Sequence, residues 1–456
     1  MKSVKKKFSV SSKKTTKNLK SKTTKKISRK AEEKAFRNGV YDARKQLGMD
    51  KAIVLGVQHV FAMFGATVLV PLLTGLSISV TLFCAGLATL WFHFVTKGKV
   101  PVFLGSSFAF LGAFASITKG NPNLLPYATG GVMIAGIVYL IFAILIQTLG
   151  AKKILRLFPP VVTGPIVILI GLILAPSALN NCLVGSIEYP GEPRWIISVI
   201  AIATIIITNM KGKGMIKITP ILISIAVSYL VALCLGWTNP YEKTNAIMSI
   251  PPFMAPKFDP GAVLTCVVVA LAAVIEHIGD IAAIGETCGK NFFEDPGLVK
   301  TFIGDGIGTT IAGFLGGPAN TTYSENTGVV ALTRVYDPFV IRIAAVITLI
   351  LSLFPSVDSF IRTIPSEVIG GVSFVLYGMI SAVGFRTLVD NKIDFSNQRN
   401  IFIIAIIMVS GLAFNTNPII FNINNVELSF GGLAAAAILG IILNLILPGN
   451  DYELVY

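Results

Sequence analysis

Apolar runs of membrane-spanning or near-spanning length recur along this chain. They fall at about 52–71, 78–96, 101–118, 127–149, 157–176, 194–209, 215–236, 261–284, 299–316, 318–334, 338–355, 364–384, 399–414 and 428–447. A bilayer core of about 30 Å takes roughly 20 such residues as a helix. Lipid offers no partners to backbone N–H and C=O groups, so each run must satisfy its own, which selects helices. The runs therefore predict an all-α polytopic membrane protein with 14 transmembrane segments. The third and tenth runs are short and interrupted by Gly, Ser and Asn, and the ninth is rich in Gly. Composition agrees, with 53% hydrophobic and 13% charged residues and a mean hydropathy of +0.75.

Charge is unevenly placed. Residues 1–50 hold 17 Lys and Arg against Glu32, Glu33, Asp42 and Asp50, whereas the other 406 residues are close to balanced. This segment has too few apolar residues to bury a core, so 1–50 is expected to be a disordered basic cytoplasmic tail. It lacks the apolar stretch of a signal peptide. Without interleaved aromatics, contact with anionic lipid is the expectation and nucleic acid is not a partner. In the short loops Lys and Arg collect on alternate sides (Lys97 and Lys99; Lys152, Lys153 and Arg156; Lys211, Lys213 and Lys217), which places both termini, including 448–456, in the cytoplasm. The three His and five scattered Cys form no metal-ligand spacing, so no metal and no cofactor are expected.

The run from Ala262 to Ile284 is interrupted by Glu276-His277-Ile278-Gly279-Asp280. Four residues apart, Glu276 and Asp280 share a helix face. Each costs roughly 2.5–3.5 kcal/mol at the bilayer centre on insertion scales, so the pair must face a cavity or a partner. Such acids mark the path of a substrate, an ion or a proton. No Lys or Arg lies in this run, and two acids so close in apolar surroundings cannot both ionise cheaply, so the site can carry a proton. His277 points about 100° away from Glu276 and reads as a packed helix residue. Asp305, between Gly304 and Gly306, is expected to make an interhelical hydrogen bond.

The polar stretch Gly316 to Ser324 contains Pro318 and should break its helix, freeing backbone groups at membrane depth where they line a cavity. A helix restarting near Glu325 would aim amides at a ligand carbonyl, with Glu325 accepting from a ring N–H. In the third run, Gly105-Ser106-Ser107 allows close backbone approach and Phe108 can stack on a flat ring. Gln58-His59 and Glu276-His277 lie 218 residues apart, as do Ser107 and Glu325. Seven segments separate the copies, and an odd number inverts the second. The chain is therefore expected to hold two inverted repeats, 51–236 and 259–447, meeting at a midplane site.

Glu325-Asn326-Thr327-Gly328-Val329-Val330-Ala331-Leu332-Thr333-Arg334 resembles the signature of the nucleobase–ascorbate transporter family, Gln/Glu-Asn-x-Gly followed after four residues by Thr-Arg/Lys. Gln58 to Thr67, Leu104 to Phe110 and Glu276 to Gly279 are similar to the matching stretches of bacterial uracil permeases. The resemblance runs from about residue 51 to the C-terminus. It implies core and gate domains, short antiparallel strands in segments 3 and 10, symport with a proton (or, less commonly in bacteria, sodium), and homodimers in the plasma membrane. It further implies that Glu276 and Glu325 hydrogen-bond a base and that backbone at Phe108 and Ser324 meets its carbonyls. Asp280 and Tyr323 would stand beside them, Glu276, Asp280 and Glu325 would handle the proton, and Gln58, His59, Asp305 and Asn326 would give support. Asp280 stands where uracil permeases commonly have His and purine carriers have Asp; Glu325 is typical of uracil permeases; Ser324 replaces a usual Gly. Uracil is favoured, with xanthine as the alternative. A channel or anion exchanger of the same architecture would want a basic residue at the site. An intramembrane enzyme would want a nucleophile–base pair or metal ligands, and neither pattern occurs. A sensor that binds bases without moving them would share these residues.

Overall fold

The computed structural model describes residues 39–449 apart from 151, 152, 154, 155, 157, 242, 245, 424 and 425. The expectations for residues 1–38 and 450–456 lie outside the described residues. Each of the fourteen apolar runs contains a helix: α1 Met49–Thr74, α2 Ile78–Val95, α3 Leu111–Thr118, α4 Leu125–Leu149, α5 Pro160–Glu188, α6 Trp195–Lys211, α7 Pro220–Leu235, α8 Pro260–Cys288, α9 Leu298–Phe314, α10 Ser324–Thr333, α11 Pro338–Ser352, α12 Ser366–Asp390, α13 Gln398–Thr416 and α14 Gly432–Ile446. Seven are long and apolar enough to cross a bilayer. The others span 8–17 residues, and α11 continues into a helix over Pro355–Arg362 bent from it by 83°.

Local chemistry sets the ends. Ser77 accepts from the Val80 N–H at the start of α2, and Asp259 from the Ala262 N–H at the start of α8. Gly75 and Gly289 close α1 and α8 in the left-handed region, where a side chain would be strained. Two boundaries differ from expectation. Pro220, which has no N–H to donate, splits the seventh run into Met215–Ile218 and α7. The last run begins later than 428, because Val426–Phe430 (β4) pairs antiparallel with Ile419–Ile423 (β3) before α14 starts.

The helices pack in two groups. α4 lies against α8 and α9, α2 against α9 and α11, and α1 against α11. In the second group α5 lies against α12 and α13, α6 against α7 and α12, and α13 against α14. Membrane helices gain little from burying apolar surface against each other, so close contact decides packing. A Cβ on Gly136 of α4 would sit 2.3 Å from Thr310 Oγ1 of α9, and one on Gly171 of α5 2.1 Å from the Tyr377 carbonyl of α12.

Two strands cross the interior of the first group. β1 (Leu104–Ser106) and β2 (Asn320–Thr322) run antiparallel, with Leu104 opposite Thr322 and Ser106 opposite Asn320. The ladder continues through Tyr323 N–H to the Phe103 carbonyl (3.0 Å) and Ser107 N–H to the Ala319 carbonyl (2.8 Å). A two-stranded sheet leaves two outer edges, each capped by a threonine. Thr89 Oγ1 of α2 accepts from Leu104 N–H (2.9 Å) and lies 3.2 Å from its carbonyl; Thr309 Oγ1 of α9 does the same for Asn320 at 3.3 and 3.2 Å. The strands are related by an offset of 216 residues, two fewer than the 218 that relates Gln58-His59 to Glu276-His277.

Residues 39–50, expected to be part of a disordered tail, are ordered. Val40 forms a parallel bridge with Val335, donating to the Arg334 carbonyl (2.9 Å) and accepting from Tyr336 N–H (2.7 Å). Ala43 N–H donates to Asp337 Oδ2 (2.7 Å), and Tyr41 packs on Tyr336 while donating to the Cys288 carbonyl. From Val40 onward apolar and aromatic residues find partners, within the stretch that charge alone assigns to a tail.

Candidate functional site

Glu276 and Asp280 project one turn apart from α8, and both are half-buried. Asp280 is tied across to the broken tenth segment. Thr322 Oγ1, at the end of β2, donates to its Oδ2 at 2.7 Å, and Ser324 Oγ, the first residue of α10, donates to its Oδ1 at 2.9 Å. Each carboxylate oxygen therefore has a hydroxyl partner, and α8 is fixed against the start of α10. Glu325 follows in the first turn of α10, close enough for its charge to act on Glu276 and Asp280. Ser324 and Gly279 are exposed, beside the half-buried Glu276, Asp280 and Glu325.

The two broken segments begin their helices alike. After β1, Ser107 precedes a 3-10 turn at Phe108–Phe110 that runs into α3; after β2, Tyr323 precedes α10. Neither Ser107 nor Tyr323 makes a side-chain cap hydrogen bond; the Glu325 carboxylate turns back on its own N–H, which leaves the neighbouring Ser324 amide for another acceptor. The partial positive charge of each helix start adds to this. The helix starts are also 216 residues apart, so Phe108 corresponds to Ser324, and Ser107 to Tyr323 rather than to Glu325.

Not every expected residue faces the same space. Tyr323 is 3% exposed; its hydroxyl meets Ser106 and Thr67, and its ring covers Gly105, where a Cβ would lie 2.3 Å from Tyr323 Cζ. It staples the strands to α1, and protein already surrounds its side chain. Asn326 donates through Nδ2 to both His59 Nδ1 and the His59 carbonyl at 3.1 Å, locking α10 to α1. Gln58 is half-buried and Phe108 is 9% exposed. Asp305 is fully buried with its Oδ2 2.9 Å from His277 Nδ1, so His277, expected to be a packed helix residue, lies against an acid without a well-formed hydrogen bond. Thr322 escaped the sequence reading: nothing but its position two residues before Ser324 marks it. Among the described residues no three His, Cys, Asp or Glu side chains are placed to hold a metal ion.

A protein-family model described as "Permease family" (Xan_ur_permease) matches residues 50–420, most of the chain. The chain belongs to the nucleobase–ascorbate transporter family. This member of the nucleobase–ascorbate transporters is 37% identical to the uracil permease of Bacillus caldolyticus over 90% of this chain and 95% of that protein. It is 39% identical to the probable uracil permease of Pasteurella multocida (87% and 94% covered) and 36% identical to the uracil permease of Escherichia coli K12 (87% and 91%). Among solved structures, the transmembrane domain of the cyanobacterium bicarbonate transporter BicA superposes with a TM-score of 0.61 at 16% identity, covering 88% of this chain and 98% of that one. SLC26A9 superposes with a TM-score of 0.65 at 11% identity, covering 89% and 66%. At such identities the likeness is one of fold. The nucleobase–ascorbate transporter described here is a multi-pass membrane permease.

Proposed function

We propose that this protein is a proton-coupled symporter that imports a nucleobase, uracil first, across the plasma membrane by alternating access. The observation that carries the reading is the bridge from Asp280 to Thr322 and Ser324, which gathers two acid-bearing elements and an uncapped helix start into one site. Uracil is a neutral planar ring with alternating N–H donors and C=O acceptors. Ionised Glu276 and Glu325 supply acceptors for the N–H groups, and the free amides near Phe108 and Ser324 supply donors for the carbonyls. Relatives at 36–39% identity that carry the name uracil permease support the pyrimidine.

Acids that must be ionised to accept from a ring, in a site too apolar to hold several charges, link base binding to proton uptake. A proton crossing 100 mV releases about 2.3 kcal/mol, enough for roughly 50-fold accumulation of a neutral solute. The group containing α1–α4 and α8–α11 acts as the core and moves against the gate of α5–α7 and α12–α14. Two inverted repeats are supported by packing partners that recur when the halves are exchanged: α1 with α11 as α8 with α4, and α5 with α13 as α12 with α6. Homodimerisation and cytoplasmic termini belong to the same reading, the latter supported by the loop charges.

The test is uptake of labelled uracil into proteoliposomes, with xanthine, uric acid and guanine as competitors. Uracil competing best, with uptake driven by an inside-alkaline gradient and lost in Glu325→Ala, is expected. Xanthine competing best would move the assignment to a purine, the outcome Asp280 favours. Uptake indifferent to both the pH gradient and Glu325→Ala would overturn the symporter.

A further inference from the structure

Behind the site lies a second polar cluster that base binding does not use. His277 and Asp305 are both fully buried, with Nδ1 and Oδ2 2.9 Å apart, yet the approach lacks hydrogen-bond geometry, so both imidazole nitrogens and both carboxylate oxygens are without a hydrogen-bond partner. The Tyr139 hydroxyl of α4 is likewise buried and unpartnered, with its ring edge-on to His277 at 6.2 Å; Phe302 of α9 packs edge-on to His277 at 4.9 Å. The other two histidines have neutral partners: His59 meets Asn326, and His93 Nε2 meets the Val102 carbonyl. His277 alone faces an acid.

We propose that the His277–Asp305 pair holds the coupling proton, leaving Glu276 and Glu325 to bind the base. The proposal rests on the symporter reading above. Neutral His277 beside ionised Asp305 leaves a net negative charge in a dry setting, which adding one proton cancels. The proton is taken from solvent and adds to an imidazole nitrogen of His277, and no other bond changes. The groups within electrostatic reach are Glu276 and Asp280 on α8 itself, Tyr139 on α4 and, through those acids, Glu325 on α10. From α2 the contact is apolar, Phe92 against Gly304. His277 stands three residues before Asp280 on α8, so positive charge gained there offsets negative charge on the acids at the front, which accept from a ring N–H when ionised. Proton behind and base in front therefore support one another.

The test compares full-length wild type with His277→Gln, Asp305→Asn and the double variant, which removes the pair without stranding a buried charge. In wild-type proteoliposomes a gradient of one pH unit should drive about tenfold uracil accumulation for one proton per base. The variants should still exchange labelled uracil in counterflow at equal pH but accumulate none, and uracil binding by the double variant should lose its dependence on pH. Accumulation that persists in the double variant overturns the proposal, as does counterflow that falls in parallel with accumulation. Failure of wild type to move uracil would sink the substrate reading; wild-type transport with an unaffected double variant would sink only this pair.

Discussion

At the scale of the residue, Asp280 is held by one hydroxyl on each carboxylate oxygen, from Thr322 and from Ser324. A carboxylate inside a long apolar run is costly enough to announce itself, so Glu276, Asp280 and Glu325 stand out. Thr322 does not, because threonines in membrane helices usually bond their own backbone four residues back, as Thr81 and Thr118 do here. The role of Thr322 rests on its hydroxyl at Asp280 Oδ2. Thr322→Val should leave that oxygen without its donor, a loss of about 1–3 kcal/mol, and slow uracil uptake, while Thr322→Ser restores it. Glu325→Gln can still accept but without charge, so uracil binding should weaken about 10–100-fold in an equilibrium binding assay, from the 1.5–3 kcal/mol range of charged hydrogen bonds.

At the scale of the element, the interruption of the third and tenth runs was readable from Gly, Ser, Pro and Asn, but the pairing of β1 with β2 was not. The two threonine caps show why such a small sheet survives in a membrane: each replaces a missing neighbouring strand with one hydroxyl. Thr89→Val and Thr309→Val should each lower thermal stability in detergent, by about 1–3 kcal/mol for a stranded backbone group, and Ser at either position should be tolerated. The repeat offset misled by two residues. It holds between Gln58-His59 and Glu276-His277, whereas the strands and helix starts sit two residues earlier in the second half, so the expected match of Ser107 with Glu325 fails. Gly105 is equally specific: Gly105→Ala would drive a methyl into the Tyr323 ring, so folded yield by size-exclusion chromatography should collapse.

At the scale of the molecule, hydropathy carried the fold class, because lipid leaves the backbone few options. Helix ends and grouping needed contacts that composition does not encode, and counting charge over fifty residues hid Val40 and Tyr41 within a basic stretch. Val40→Pro removes the N–H that meets Arg334 and should lower the melting temperature, measurable by thermal-shift assay, while leaving uracil counterflow in place. The same bridge has a consequence for biogenesis. Val40 is made early, but its partners Arg334 and Tyr336 leave the ribosome roughly 300 residues later, about 15–60 s at 5–20 residues per second. The opening stretch must wait undocked through most of synthesis, so the closing of this clasp reports that insertion of the tenth segment is complete.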